Sequence, residues 1–219
     1  MNRLAVFDCD GTLVDSQATI CAAMARGFAA CGIAAPGDGA TRAIIGLSLN
    51  EALAILYPDG RAADHDALST AYKAAFFDLR AQGLAQEPLY QGIATVIADL
   101  DARGWLLGVA TGKSDRGLKH ILEHHGLHPH FITLQTADRH PSKPHPSMLE
   151  RAMAEAGACA ASTAMIGDTS FDMQMARAAG CAAIGVAWGY HHRQALIEAG
   201  ADVVADHPDA LVAILEALG

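Results

Sequence analysis

Leu4-Ala5-Val6-Phe7-Asp8-Cys9-Asp10-Gly11-Thr12 opens with an unbroken apolar run and ends in an acidic turn. A short continuous apolar run predicts a strand covered on both faces, as in parallel sheets. In extended backbone, residues two apart face the same side. Asp8 and Asp10 can therefore share a site while Cys9 points away.

Further along the chain the same pattern recurs. Trp105 to Ala110, Thr163 to Ile166 and Cys181 to Val186 predict buried strands, and Phe131 to Leu134 and Ala201 to Val204 predict weaker ones. Helical patterns fall between them, over Ile93 to Arg103, Gly117 to His125, Ser147 to Ala156 and Asp172 to Ala179. Strand alternating with helix implies an α/β fold with a Rossmann-like parallel sheet and helices on both faces. One segment departs from this rhythm. Residues 15–88 carry helical periodicity and no convincing buried strand, punctuated by Pro36-Gly37-Asp38-Gly39 and Tyr57-Pro58-Asp59-Gly60. Asp15 or Ser16 is placed to cap a first helix that runs to Cys31. The expected organisation is an α/β catalytic core of residues 1–14 and 89–219 with an inserted all-helical cap of residues 15–88.

Composition narrows the partners. The chain has 219 residues, half of them apolar and 18% charged, enough to bury a sizeable core. Acidic residues outnumber Lys and Arg by 24 to 15, without a basic block. Nucleic acid and anionic membranes are therefore poor partners. The 5 cysteines are scattered and lack a C-x-x-C pair, which fits reduced thiols and a cytoplasmic setting. The apolar run at Leu4 leaves no room for a leader before it, and no run approaches the roughly 20 residues of a membrane span.

The chemistry-bearing residues lie in separate stretches that the fold should gather. Asp8-Cys9-Asp10, Ala110-Thr111-Gly112-Lys113 and Gly167-Asp168-Thr169-Ser170-Phe171-Asp172 follow predicted strands, and Ser142-Lys143-Pro144-His145-Pro146 follows the strand near Phe131. Ligands of open α/β sheets bind at the carboxyl ends of the strands. Asp8, Asp10, Asp168 and Asp172 cannot all stay ionised in one crevice without compensation, and Lys143 supplies a single positive charge. A hard dication with oxygen ligands, Mg²⁺, answers that excess. An isolated Asp such as Asp15 or Asp38 reads instead as a cap or turn former.

In this order, the stretches are identified as the motifs of the haloacid dehalogenase superfamily. Asp8-Cys9-Asp10-Gly11-Thr12-Leu13-Val14-Asp15-Ser16 resembles its first motif; Thr111, Lys143 and Gly167-Asp168…Asp172 resemble the next three. The insert sits where the superfamily places its C1 cap, and phosphoglycolate phosphatase-like members are the most similar. The resemblance implies a Mg²⁺-dependent phosphatase acting on a small phosphorylated metabolite, 2-phosphoglycolate first. Asp8 would be the nucleophile and Asp10 the general acid–base, with Thr111 and Lys143 on the phosphoryl oxygens. Asp8, Asp168 and the backbone carbonyl of Asp10 would ligate Mg²⁺, and Asp172 would orient Lys143 or a metal-bound water. Thr12 would bond a nearby carboxylate. Gly112 stands where many relatives have Asn, and would let the backbone approach the phosphate. Lys113 either compensates for the lost side chain or is a solvated surface lysine.

The cap segment Thr41-Arg42-Ala43-Ile44-Ile45-Gly46-Leu47-Ser48 resembles a specificity segment, which makes Arg42 the expected substrate cation. Rival activities fit less well. Phosphomutase relatives carry a His where this chain has Ile20 and a cap Arg where it has Leu49, and dehalogenase relatives lack the acid at Asp10. A pyrophosphatase on the same scaffold remains an alternative, and a non-catalytic binding module would have no need of the whole charged set. His120, His124 and His128 do not complete a zinc spacing and read as a solvated face. Trp188-Gly189-Tyr190-His191 lies at the crevice edge, as a wall of the entrance or as an ordinary loop.

Overall fold

The computed structural model describes residues 2–218. The chain folds as β1 (Leu4–Phe7), α1 (Gln17–Ala30), α2 (Asp38–Ala43), α3 (Leu49–Leu56), α4 (Ala62–Ala81), α5 (Ile93–Ala102), β2 (Leu106–Thr111), α6 (Asp115–His124), β3 (Phe131–Thr136), α7 (Ser147–Ala156), β4 (Thr163–Gly167), α8 (Ser170–Ala179), β5 (Ala182–Val186), α9 (Arg193–Glu198), β6 (Val203–Ala205) and α10 (Ala210–Leu218). The strands form a single sheet in the order β3-β2-β1-β4-β5-β6, and every pairing is parallel.

The strand alternation in β1 divides the core. Ala5 and Phe7 pack on the side of α5, α6 and α10 with Ile97, Leu122 and Leu215. Leu4 and Val6 face the other side, against Met148 and Leu149 of α7 and Met173 of α8. Both faces of β1 are sealed, which is why its sequence is apolar without alternation. This Rossmann-like arrangement matches the expected fold class.

Between β1 and α5 the chain is helical. The helices α1 to α4 enclose a separate apolar cluster of Met24, Phe28, Ile44, Leu53 and Leu68. The two strands of chain leading into and out of this unit run side by side. Asp15 N–H donates to the Pro88 carbonyl at 2.9 Å, and Tyr90 N–H to the Leu13 carbonyl at 3.0 Å. Among the described residues no helix is long and apolar enough to cross a membrane.

Candidate active site

The sheet register gathers the scattered stretches. Phe7 pairs with Val109 of β2 and with Ile166 of β4, so the turn after β1 emerges between the ends of those strands. Asp8 N–H still donates to the Ile166 carbonyl at 2.9 Å. Thr111 ends β2 and Asp168 follows β4, at the same edge as Asp8. This is the point where strand order reverses about β1, the usual ligand position in such sheets. Gly11 leaves β1 with φ +82°, and a Cβ there would lie 2.1 Å from Asp168 Oδ2. Only glycine permits both the turn and that approach.

At the centre are Asp8, Asp168 and Asp172, all buried, with carboxylate oxygens within 4.8 Å of one another. Lys143 Nζ lies 2.9 Å from Asp8 Oδ1 and 2.6 Å from Asp172 Oδ1, with its side chain fully buried. Asp172 Oδ2 accepts from Thr169 N–H and Oγ1 at 3.0 and 2.7 Å, so both its oxygens are engaged. Asp168 accepts from Thr12 Oγ1 at 3.0 Å and from Tyr190 N–H at 2.9 Å. Asp8 Oδ1 also accepts from Cys9 N–H at 2.7 Å, whereas the buried Asp8 Oδ2 has no partner.

The electrostatics are those of carboxylates short of positive charge. Burial pushes the Asp8 carboxyl up to about 7; Lys143 opposes this and Asp172 adds to it. Asp168 is raised well above the carboxylate range by burial, then by Asp8 and Asp172. Burial by itself would lower the Lys143 ammonium, but Asp172 and Asp8 hold it above the usual lysine range. An orphaned buried oxygen beside a set of hard oxygen donors fits a divalent cation.

Asp10 occupies a second cluster. Its Oδ1 lies 2.8 Å from Lys113 Nζ and accepts a short hydrogen bond from Ser16 Oγ. Lys113 Nζ is also 3.4 Å from Glu87 Oε1, and Glu87 pairs with Arg80 at 2.9 Å. Asp10 and its neighbours Cys9 and Glu87 outweigh burial and raise the Lys113 ammonium. Lys113 is therefore not the solvated lysine that one sequence reading allowed. Ser16 occupies the N-cap position of α1, yet its side chain does not cap the helix and donates to Asp10 instead. Asp15 Oδ1 accepts from Gln17 N–H at 3.3 Å, the turn role expected of it.

The helical insert reaches the site through residues 46–48. Ser48 N–H donates to Ser142 Oγ at 2.8 Å, next to Lys143. A Cβ on Gly112 would lie 2.3 Å from the Leu47 carbonyl oxygen. The close approach that Gly112 permits is thus to the insert's backbone, where the sequence suggested a phosphate. Arg42 needs a correction. It is exposed and absent from the lining of the cavity beside Asp10, and its Nε donates to the Asp38 carbonyl of its own short helix at 3.3 Å. It sits in the last turn of α2, so its side chain turns back along that helix. The cations that line the cavity are Lys73, Arg80, Lys113, Arg116 and Lys119.

Sequence reasoning missed Ser16 and Glu87 as parts of the site and placed Tyr190 only in a loop at the crevice edge. Tyr190 OH accepts from Ser16 N–H at 3.0 Å while its own N–H holds Asp168. Trp188 Nε1 donates to the Thr12 carbonyl at 3.1 Å. The 188–191 loop therefore braces the first acidic turn, a role its position after β5 only hinted at. His120 and His124 stack at 6.0 Å, and His120 lines the cavity without joining the acidic cluster.

This fold and constellation are those of the haloacid dehalogenase-like hydrolases, whose family matches residues 5–186. The chain belongs to this family, and by class it is a phosphatase. It is 39% identical to "Probable phosphatase IndB" of Dickeya dadantii, covering 100% of this chain and 95% of the relative. It is 32% identical to "Tyrosine-protein kinase PtkA" of Mycobacterium tuberculosis, over 99% of this chain and 72% of that protein. "Phosphoglycolate phosphatase" of Vibrio parahaemolyticus is 29% identical over 97% of this chain and 96% of its own. Among solved structures, "a predicted phosphatase from Clostridium acetobutylicum" superposes with a TM-score of 0.87 at 26% identity, covering 99% of both chains.

Proposed function

We propose that the chain is a Mg²⁺-dependent phosphatase that hydrolyses a small phosphate monoester through an aspartyl-phosphate on Asp8. The observation that carries this reading is the buried Asp8–Asp168–Asp172 set with Asp8 Oδ2 unpartnered and Lys143 as its single cation. Asp8, Asp168 and the Asp10 carbonyl would hold the ion, since both oxygens of Asp172 are engaged by Lys143 and Thr169. When bound, the dication neutralises carboxylate charge and withdraws electron density from the phosphoryl group.

The protein's own groups then divide one hard step into two. Asp8 Oδ1 attacks phosphorus, the ester P–O bond breaks, and Asp10 gives its proton to the leaving oxygen. Water next attacks the aspartyl-phosphate, Asp10 takes back a proton, and inorganic phosphate leaves with Asp8 regenerated. Lys143 and Thr111 hold the phosphoryl oxygens. Residues 15–88 act as a cap on the core of residues 1–14 and 89–219, hinged at the paired chain segments near Asp15 and Pro88. Closure would exclude water from the aspartyl-phosphate while it forms.

The substrate belongs to the small phosphorylated metabolites of the cytoplasm. The sequence argument for 2-phosphoglycolate as first candidate relied on Arg42 as a second anion holder, and Arg42 lies off the cavity. The compound keeps its place in a test panel with pyrophosphate and sugar phosphates. The test of the class is an acid-quenched reaction analysed by peptide mass spectrometry. A phosphoryl group on the peptide that contains Asp8, formed with Mg²⁺ and absent from Asp8→Asn, is the expected result. Phosphate release at full rate from Asp8→Asn would refute it.

A further inference from the structure

The cavity that leads to Asp10 has about 1090 Å³ of space between α4 and α6. That is just above the roughly 300–1,000 Å³ that encloses drug-sized ligands. A two-carbon acid would leave most of it to water. Its walls are also of the wrong chemistry for a compact anion alone. Helix α4 presents Tyr72, Phe76 and Phe77 to the cavity, and α6 contributes Arg116.

Phe77 and Arg116 are the informative pair. Phe77 is 54% exposed, although a large apolar side chain gains by burial. Arg116 is exposed as well, and its guanidinium carbon lies 5.1 Å from the centroid of the Phe77 ring. Among the described residues, neither side chain makes a hydrogen bond, an ion pair or another ring contact. Phe76 differs: Arg80 and Lys113 lie against its ring at 4.7 and 5.6 Å, and both of these cations are tied into the Glu87 network. Phe77 and Arg116 thus form a pair of flat groups, phenyl and guanidinium, lying against each other in the wall of the cavity that Asp10 also lines. Neither is used by the chemistry proposed above. Phenyl rings and guanidinium planes are the two surfaces on which proteins stack planar heterocycles.

The geometry points to a phosphate monoester whose alcohol carries a planar ring, held between Phe77 and Arg116 while its phosphate sits at Asp8. This rests on the phosphatase reading and names the substrate class for it. Arg116 is long and anchored only to Phe77, so it can swing off the phenyl face, admit the ring and close on its far side. A nucleobase on a sugar and a benzyl group share this chemistry.

Pairs of primary-alcohol esters that differ by the ring provide the test, because they keep the leaving oxygen alike. Uridine 5′-monophosphate is compared with ribose 5-phosphate, and benzyl phosphate with ethyl phosphate, with 2-phosphoglycolate alongside. The expected kcat/KM favours the ring-bearing member by about tenfold or more, in line with typical base–aromatic stacking. Phe77→Ala should collapse that ratio, Phe77→Trp should keep it, and Phe77→Leu should fail to restore it. A gain for uridine 5′-monophosphate alone identifies the nucleoside source; a gain for both pairs identifies the ring itself. A wild-type preference for 2-phosphoglycolate or ribose 5-phosphate overturns the inference and leaves the phosphatase reading standing. So does a ratio unmoved by Phe77→Ala. Hydrolysis of none of these esters overturns both.

Discussion

Lys113 Nζ lies 2.8 Å from Asp10 Oδ1, with 9% of each side chain exposed. The ammonium and the Ser16 hydroxyl, which donates to the same oxygen, hold the Asp10 side chain in place. The proposed reaction needs Asp10 in position in both halves, first to give a proton to the leaving oxygen and then to take one from water. Lys113 also reaches Glu87 at 3.4 Å, beside the segment where the insert rejoins the core.

Lys113→Met should therefore release Asp10 from this position and slow turnover. The expected fall in kcat is about tenfold or more, a share of the roughly 10²–10⁴ that acid–base assistance supplies. A variant with normal kcat would make Lys113 a structural residue only.

Activity should vanish in EDTA and return with Mg²⁺, while Ca²⁺ should restore it poorly. Calcium takes more ligands at longer distances than the oxygen set around Asp8 and Asp168 is built to offer. Full turnover in metal-free buffer would contradict the role given to Asp8 Oδ2, the oxygen without a protein partner.

The same cluster predicts a pH-dependent effect of metal on stability. Asp8 is raised to about 7 in the folded chain, against about 3.9 when unfolded. The folded state thus holds the proton more tightly. In metal-free protein this costs nothing below about pH 4, and stability is lost as pH rises through 7. A dication competes with that proton, so the rise in Tm on adding Mg²⁺ should grow from pH 5 to pH 8. Asp8→Asn should flatten the dependence and abolish turnover. A metal-induced shift of equal size across this range would count against the cluster as the metal site.

The fold was largely legible because β1, β2, β4 and β5 are sealed on both faces, which leaves apolar runs that do not resemble anything else. Helices α9 and α10 were not. The first has 6 residues, and the second is apolar nearly all round and so lacks periodic contrast. In the site, Asp8, Asp10, Lys143, Asp168 and Asp172 could be gathered from sequence because each follows a strand of one parallel sheet. Ser16 was misread for a physical reason: a serine before a helix usually caps it, and here Asp10 takes the hydroxyl. Lys113 could not be decided without α4 and Glu87, which bury it from far away in sequence. Arg42 failed because a segment can face a crevice while one side chain of a 6-residue helix turns away from it.

Gly112 offers the last prediction, on how the insert seats over the core. Its Cα faces the backbone of residues 46 and 47, and an added Cβ would meet the Leu47 carbonyl oxygen at 2.3 Å and that of Gly46 at 2.9 Å. Backbone atoms cannot rotate aside as a side-chain end can, so Gly112→Ala must displace the whole 46–48 segment. That segment also makes the Ser48 N–H bond to Ser142 Oγ beside Lys143. Both contacts join insert to core, and Leu47 also packs on the apolar cluster of the insert beside Ile44. The substitution should accordingly lower the Tm by a few degrees, about 1–2 kcal/mol in a chain of this length. Hydrogen exchange should speed up at residues 44–49 and not in β1 or β4, and KM should rise by about tenfold as the closed state is disfavoured. Wild-type exchange at residues 44–49 together with a normal KM would show that the close approach of Leu47 to Gly112 has no part in closure.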